Sequence, residues 1–378
     1  MALCLANSLV ARRGFVPYDQ LVRYKWWYQH GYMSSTGRCF DIGAATSQSI
    51  HEFIRRQKVL SATCHIPSEK LDYLSDHNLL KNFQVHCSTT GVAGNGALMR
   101  LAPVPLFFYK HPKQAVEFSG YSGQITHGDK KAYDACRYYG ALIYATLNGF
   151  NKKQLLDKEF YEKHKSWFDD KPLCEEIKRI AEGSYQKKDG IRGKGYIVNA
   201  LEAALWAFWS DNDSFEQGVL AAVNLGDDTD TTAAIYGQLA GAYYGYKNLP
   251  KKWVEQVYAK KFILNLSKWI AYEGENWNET DVILSSDPSF VDKPVSNKIE
   301  TSFTQDEPES KSTLSTQRSR RYRNDSDDNQ NLSDSRNVTS TESFNQASNL
   351  NNDANAAFTK TNQDAASTVP TSEENSKL

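Results

Sequence analysis

The sequence predicts an all-α fold. Three observations carry that expectation: apolar residues recur at helical spacing along most of the apolar-rich part of the chain, alternating strand patterns are scarce, and no strand–helix–strand rhythm appears. Taken in order, Met1–Ala11 sets Met1, Ala2, Leu5, Ala6 and Leu9 on one face. No capping residue precedes this run, so its first backbone N–H groups lack their usual partners, and the first turn is expected to be exposed and to fray. A second helix is expected to start near Ser47, with Asp41 in the loop ahead of it as a candidate cap. Asp129–Leu147 places Ala132, Ala135, Cys136, Tyr139, Leu142, Ile143 and Thr146 on one face, and Tyr196–Trp209 does the same with Val198, Leu201, Leu205, Phe208 and Trp209. Ser214–Asn224 and Ala233–Gly245 read as two more helices, and Trp253–Trp269 as one further amphipathic helix. Gly237, Gly241 and Gly245 recur every four residues, which predicts a smooth face where a neighbouring helix packs closely.

Composition divides the chain. All eight Trp and all six Cys precede residue 278, whereas the stretch after about Val291 has no Gly, Trp or Cys and is rich in Ser, Thr, Asn, Gln, Asp and Lys. Such a stretch buries too little apolar surface to offset its conformational entropy, so residues 1–290 read as one globular body and 291–378 as a disordered polar tail. A net charge of −1 argues against a general binder of nucleic acid or of membrane surfaces. No apolar stretch is long enough to span a bilayer. The cysteines show neither CxxC spacing nor a preceding secretory signal, so free thiols in a reducing, cytoplasmic setting are expected. Cys64-His65 and His86-Cys87 match no common zinc spacing. The basic run Arg318–Arg323 admits a nuclear signal, although solvated charge is the commoner meaning of such runs.

The most informative stretch is Leu225-Gly-Asp-Asp-Thr-Asp-Thr-Thr232, between two helical runs. One Asp at a helix start needs no explanation beyond capping and the helix dipole. Asp227, Asp228 and Asp230 together exceed what a cap uses, and like charges so crowded repel. Hard oxygen ligands of this kind suit Mg²⁺, Mn²⁺ or Ca²⁺. Elsewhere, Asn95 between Gly94 and Gly96 offers backbone that a phosphate can approach closely. His127, ahead of the Asp129–Leu147 run, is a structural histidine or a ligand contact, and Asp41 is a loop cap or an active-site carboxylate.

Gly226–Thr231, followed by the small-residue helix Gly237–Gly245, resembles the C-terminal metal motif of the ADP-ribosylglycohydrolase family, which includes the enzymes that remove ADP-ribose from arginine of nitrogenase reductase. Three more segments match in order: Ser34–Gly43 resembles the loop before an active-site helix, Gly94–Pro103 the ribose- and phosphate-facing loop, and Gly195–Leu205 the helix preceding the metal turn. The resemblance runs from Met1 to about Trp277 and implies two Mg²⁺ or Mn²⁺ ions gripping the ribose diol beside the scissile glycosidic bond. Carried over, it makes Asp228, Asp230 and Thr231 metal ligands, Gly94, Asn95, Gly96 and His127 substrate contacts, and Asp41 the catalytic carboxylate; Asp227 stands where many members have Gly. The implied partner is an ADP-ribosylated protein, arginine-type, or a small molecule containing ADP-ribose, acted on by a monomer.

In the family the first helix follows a Thr-Asp-Asp-Thr motif that supplies metal ligands from the opposite side, and this motif does not occur ahead of Met1 here. The 378-residue chain is therefore expected to release little ADP-ribose by itself and to regain activity with such a segment restored. Two rivals stand beside the hydrolase: a catalytically impaired member that binds ADP-ribose, and a metal-dependent phosphohydrolase. The matches at Ser34–Gly43 and Gly94–Pro103 favour the glycosidase over the phosphatase.

Overall fold

Helices account for nearly all regular structure in the computed structural model of the chain, which describes residues 1–187 and 189–278. The tail 291–378 and the basic run Arg318–Arg323 lie outside the described residues. In order the helices are α1 (Ala2–Arg12), α2 (Pro17–His30), α3 (Ala44–Cys64), α4 (His77–Asn82), α5 (Pro103–Phe107), α6 (Pro112–Gln124), α7 (Lys130–Leu147), α8 (Lys152–Leu155), α9 (Phe160–Lys163), α10 (Glu175–Ala181), α11 (Ile197–Trp209), α12 (Phe215–Val223), α13 (Thr229–Tyr244), α14 (Lys251–Gln256) and α15 (Lys260–Glu275). Among the described residues the β-type pairing is confined to two isolated bridges, Gly94 with Tyr196 and Gly193 with Asp227. No helix among them is long and apolar enough to cross a membrane.

The molecule is organised around α7. Every residue from Ala132 to Thr146 is buried, so this helix is enclosed on all sides and the single-face expectation for Asp129–Leu147 is corrected. Its buried ion pair survives burial through hydrogen bonds, although Arg137 Nε has no hydrogen-bond partner among the described residues. Asp134 takes a hydrogen bond from Arg137 at 3.0 Å and from the Cys174 backbone N–H at 2.7 Å, and Arg137 donates to the Phe168 carbonyl at 2.7 Å. One apolar cluster joins α7 to α10, α11 and α13 through residues such as Tyr139, Ile177, Leu201 and Tyr236. The other gathers Leu5, Leu21, Phe53, Phe107 and Leu266 from α1, α2, α3, α5 and α15.

Close helix contact depends on other glycines than the expected ones. A Cβ at Gly237, Gly241 or Gly245 would meet no atom within 4 Å among the described residues, so no helix packs on that stripe. The tight crossing lies between α6 and α7, where a Cβ on Gly120 would fall 2.5 Å from the Tyr133 ring.

Two boundaries also differ. Trp253–Trp269 is not one helix: the chain leaves it after Gln256, with Val257 extended and Ala259 left-handed at φ 54°, and re-enters at Lys260. β-Branched Val257 and aromatic Tyr258 are weak helix formers, both exposed, and no Gly or Pro marks the break. At the other end Met1 supplies no side-chain cap, as expected, yet the first turn is not exposed: Met1 is half-buried, Cys4 and Leu5 are fully buried, and burial lowers the pKa of the Met1 amine.

Candidate functional site

The acidic turn is shaped by two consecutive left-handed residues, Gly226 at φ 79° and Asp227 at φ 59°. Asp tolerates this region better than most side chains. The reversal delivers Asp228 to the N-cap position of α13, but its carboxylate makes no capping hydrogen bond. Instead Asp228 Oδ2 accepts a hydrogen bond from Asn95 Nδ2 at 2.7 Å, across 133 residues of sequence. Capping therefore does not explain this carboxylate. The turn is also held by backbone, because the Asp228 N–H donates to the Gly193 carbonyl at 2.7 Å. Thr232, fully buried, donates its hydroxyl to the Asp228 carbonyl at 2.8 Å. A Cβ on Gly193 would collide with that threonine, so the approach requires glycine.

The second wall is the 3₁₀ turn Asn95–Arg100. Ala93–Asn95 runs against Lys194–Ile197: the Asn95 N–H donates to Gly195 O at 3.0 Å, the Ile197 N–H to Ala93 O at 3.0 Å, and Asn95 Nδ2 to Lys194 O at 3.3 Å. These bonds fix Asn95, which is 8% exposed, with its amide toward Asp228. His127 closes the other side of the loop. Its ring lies so near that a Cβ on Gly94 would sit 3.3 Å, and one on Gly96 3.4 Å, from Nε2. Burial first, then the Arg100 charge, push the His127 pKa down to about 3, so the ring is neutral at ordinary pH. Thr46, in the first turn of α3, faces the same loop, its Oγ1 3.4 Å from where a Gly96 Cβ would be.

The structure thus brings Gly94, Asn95, Gly96, His127 and Asp228 together. Thr231 and Asp230 occupy the first turn of α13, the former buried at 6% exposure and the latter exposed. Asp227 is exposed, and its backbone pairs with Gly193. Asp41 stands apart. It is exposed and left-handed at φ 45°, and no contact ties it to the other candidates among the described residues. Nor does it cap a helix: α3 begins at Ala44, earlier than expected, with Gly43 as N-cap and no side-chain cap bond. Among the described residues no three His, Cys, Asp or Glu side chains gather as a ready-made metal cluster. Sequence reasoning missed Gly193, Thr232, Thr126 and the role of Arg100. Only Arg100 carried a signal, as a lone charge inside the apolar run Ala97–Pro103.

Comparison with known proteins places this geometry in context. A family model described as ADP-ribosylglycohydrolase matches residues 1–280. The chain is 32% identical over 277 residues to ADP-ribosylarginine hydrolase Tri1 of Serratia proteamaculans (strain 568), covering 72% of this chain and 65% of that protein. It is 33% identical over 290 residues to the Tri1 of Pseudomonas putida (strain GB-1), covering 75% and 68%. ADP-ribosylhydrolase ARH3 of Homo sapiens is 22% identical over 317 residues, covering 76% of each chain. A solved structure described as an ADP-ribosylglycohydrolase-related protein complex superposes with a TM-score of 0.55 at 32% identity, covering 72% of this chain and 79% of that one. The match spans about two thirds of the length of the two bacterial relatives.

Proposed function

This chain belongs to the ADP-ribosylglycohydrolase family, and on that premise we propose that it hydrolyses the bond between ADP-ribose and a modified protein side chain, arginine by preference. The arginine reading rests on one observation: the two Tri1 relatives, at 32% and 33% identity, bear the name ADP-ribosylarginine hydrolase; the family match over residues 1–280 includes Asn95 and Asp228.

Mg²⁺ or Mn²⁺ fits the residues present. Asp228 spends one carboxylate oxygen on Asn95 and none on capping, and Asp230 and the Thr231 hydroxyl lie in the same first turn of α13. These are hard oxygen donors without a competing protein partner on Asp230 or Thr231 among the described residues. Asp228, Asp230 and Thr231 would hold the ion, which when bound supplies charge to orient ribose hydroxyls and acidify water. The other roles belong to the protein. Gly94 and Gly96 admit ligand oxygens close to backbone, Asn95 fixes the Asp228 carboxylate, and neutral His127 offers a hydrogen bond without a charge. Asp41, the carboxylate expected to move the proton, is exposed and lies outside this group of residues, so no proton transfer is assigned to it. Water oxygen bonds to the anomeric carbon, the carbon–nitrogen bond breaks, the guanidine nitrogen takes a proton, and free ADP-ribose leaves.

The test is release of ADP-ribose from ADP-ribosylated arginine protein with Mg²⁺ or Mn²⁺, using the 378-residue chain and a version carrying Thr-Asp-Asp-Thr ahead of Met1. Metal-dependent release by either supports the reading. Release by neither overturns it, and retained ADP-ribose binding would then identify a binding member of the family.

A further inference from the structure

We propose that Arg100 is a positioning residue of this site: beneath the Gly94–Gly96 loop it polarises the Thr126 hydroxyl, which donates to His127 Nδ1 and leaves His127 Nε2–H as the donor offered to a ligand oxygen. The ligand half of this statement rests on the function proposed above; the relay itself does not.

The geometry is specific. Arg100 is 2% exposed, yet it pairs with no carboxylate among the described residues. All four of its hydrogen bonds go to neutral acceptors. Nε donates to the Tyr24 hydroxyl at 3.2 Å, Nη1 to the Gly96 carbonyl at 3.1 Å, and Nη2 to the Ser122 carbonyl at 2.9 Å and to Thr126 Oγ1 at 2.6 Å. The guanidinium also lies over the Tyr24 ring, 4.9 Å from its centroid. A buried cation without a counter-charge is costly, and an apolar residue would fill this place at less expense of stability. Its presence here calls for a role, and its position supplies one.

The shorter of two bonds gives the relay its proposed direction. Arginine only donates, so Thr126 Oγ1 accepts from Nη2 and has one proton left to give. Two acceptors are in reach: the Gly123 carbonyl at 3.4 Å and His127 Nδ1 at 2.8 Å. The shorter, better bond is to Nδ1, and a hydroxyl that accepts from a cation becomes the stronger donor. His127, 1% exposed and held neutral by burial beside that cation, then carries its single ring proton on Nε2. Nε2 has no hydrogen-bond partner among the described residues, and it lies against Gly94 and Gly96, where an added Cβ would come within 3.3 and 3.4 Å of it. Arg100 also grips the Gly96 carbonyl, so the loop and the ring share one anchor.

The experiment reads the histidine tautomer directly, from imidazole ¹⁵N spectra of the ligand-free 378-residue protein and of the Thr126→Ser and Thr126→Val variants. Wild type and Thr126→Ser are expected to show protonated Nε2 and bare Nδ1. In Thr126→Val the tautomers should mix, and the Arg100 guanidinium protons should shift. Titration with ADP-ribose should show affinity falling roughly tenfold in Thr126→Val and unchanged in Thr126→Ser, the loss of about one hydrogen bond. Protonated Nδ1 in the wild type, an unaltered tautomer in Thr126→Val, or unmoved Arg100 protons would each overturn the relay. Equal losses of affinity in both variants would place the effect in packing and overturn it too. Wild type showing the expected tautomer but ignoring ADP-ribose would count against the proposed function and leave the relay standing.

Discussion

Asn95 and Asp228 illustrate how single residues carry this site. On the proposed function Asp228 would hold a cation, and a carboxylate in that role is better defined when one oxygen is tied, as the Asn95 amide ties it at 2.7 Å. Partners of this kind behind metal ligands typically change metal affinity by about 10–100-fold when removed. We therefore expect Mg²⁺ or Mn²⁺ to raise the melting temperature of the wild type. Asp228→Ala should abolish that rise and Asn95→Ala should demand at least about tenfold more metal for it. A melting curve of Asp228→Ala that still rises with metal as the wild type does would remove Asp228 from the ligand set. The legible residues here were those whose chemistry announces itself: crowded aspartates, and an asparagine between two glycines. Gly193 and Thr232 were not legible, because what they contribute is backbone approach and a hydroxyl turned to a carbonyl. Neither leaves a pattern in one sequence.

Elements were legible to the extent that helical periodicity tracks a single buried face. Tyr196–Trp209 and Ser214–Asn224 match α11 and α12 within a residue or so at each end. Periodicity says nothing of a helix buried on every side, so α7, whose bounds match Asp129–Leu147 within a residue, buries more than the one face expected; nor does it reveal a break like Val257–Ala259 that no Gly or Pro marks. The glycine stripe failed for a related reason: spacing reports which residues share a face, not whether anything packs there. Opposite outcomes for two substitutions follow. Gly237→Ala adds a methyl in open space in the middle of α13, and removing a helix glycine there should stabilise by up to about 1 kcal/mol. Gly120→Ala drives a methyl into the Tyr133 ring at the α6–α7 crossing and should cost about 1–3 kcal/mol. Thermal unfolding of both decides the matter, and a stabilised Gly120→Ala would mean that the crossing yields more easily than its geometry indicates. Gly193→Ala should be destabilising by a similar amount, and it should also weaken the metal response because Asp228 hangs from the Gly193 carbonyl.

At the scale of the whole molecule, the buried histidines couple stability to pH. His127 has a folded pKa of about 3 against an ordinary value of 6.5, lowered by burial and then by Arg100. His86 is lowered in the same direction by burial and then by Arg56. Their sign is that of a depressed group. Above pH 6.5 both states are neutral and the contribution is fully present; as pH falls the unfolded chain takes up protons that the folded ring refuses, and stability is lost down to the folded pKa. For His127 alone the loss is about 2 kcal/mol at pH 5, from the unfolded titration alone. Asp134 and Glu273, whose pKa values burial raises, act with the opposite sign, so the absolute profile mixes several groups. A difference measurement isolates one. Urea unfolding of the wild type and His127→Gln at pH 8 and pH 5 should show the wild type losing about 2 kcal/mol more than the variant over that interval. The same relay makes the expectation sharp, because a proton arriving on Nδ1 would face a hydroxyl already committed as donor by Arg100. Parallel profiles for the two proteins would mean that folded His127 titrates normally, which neither its burial nor the guanidinium beside it allows.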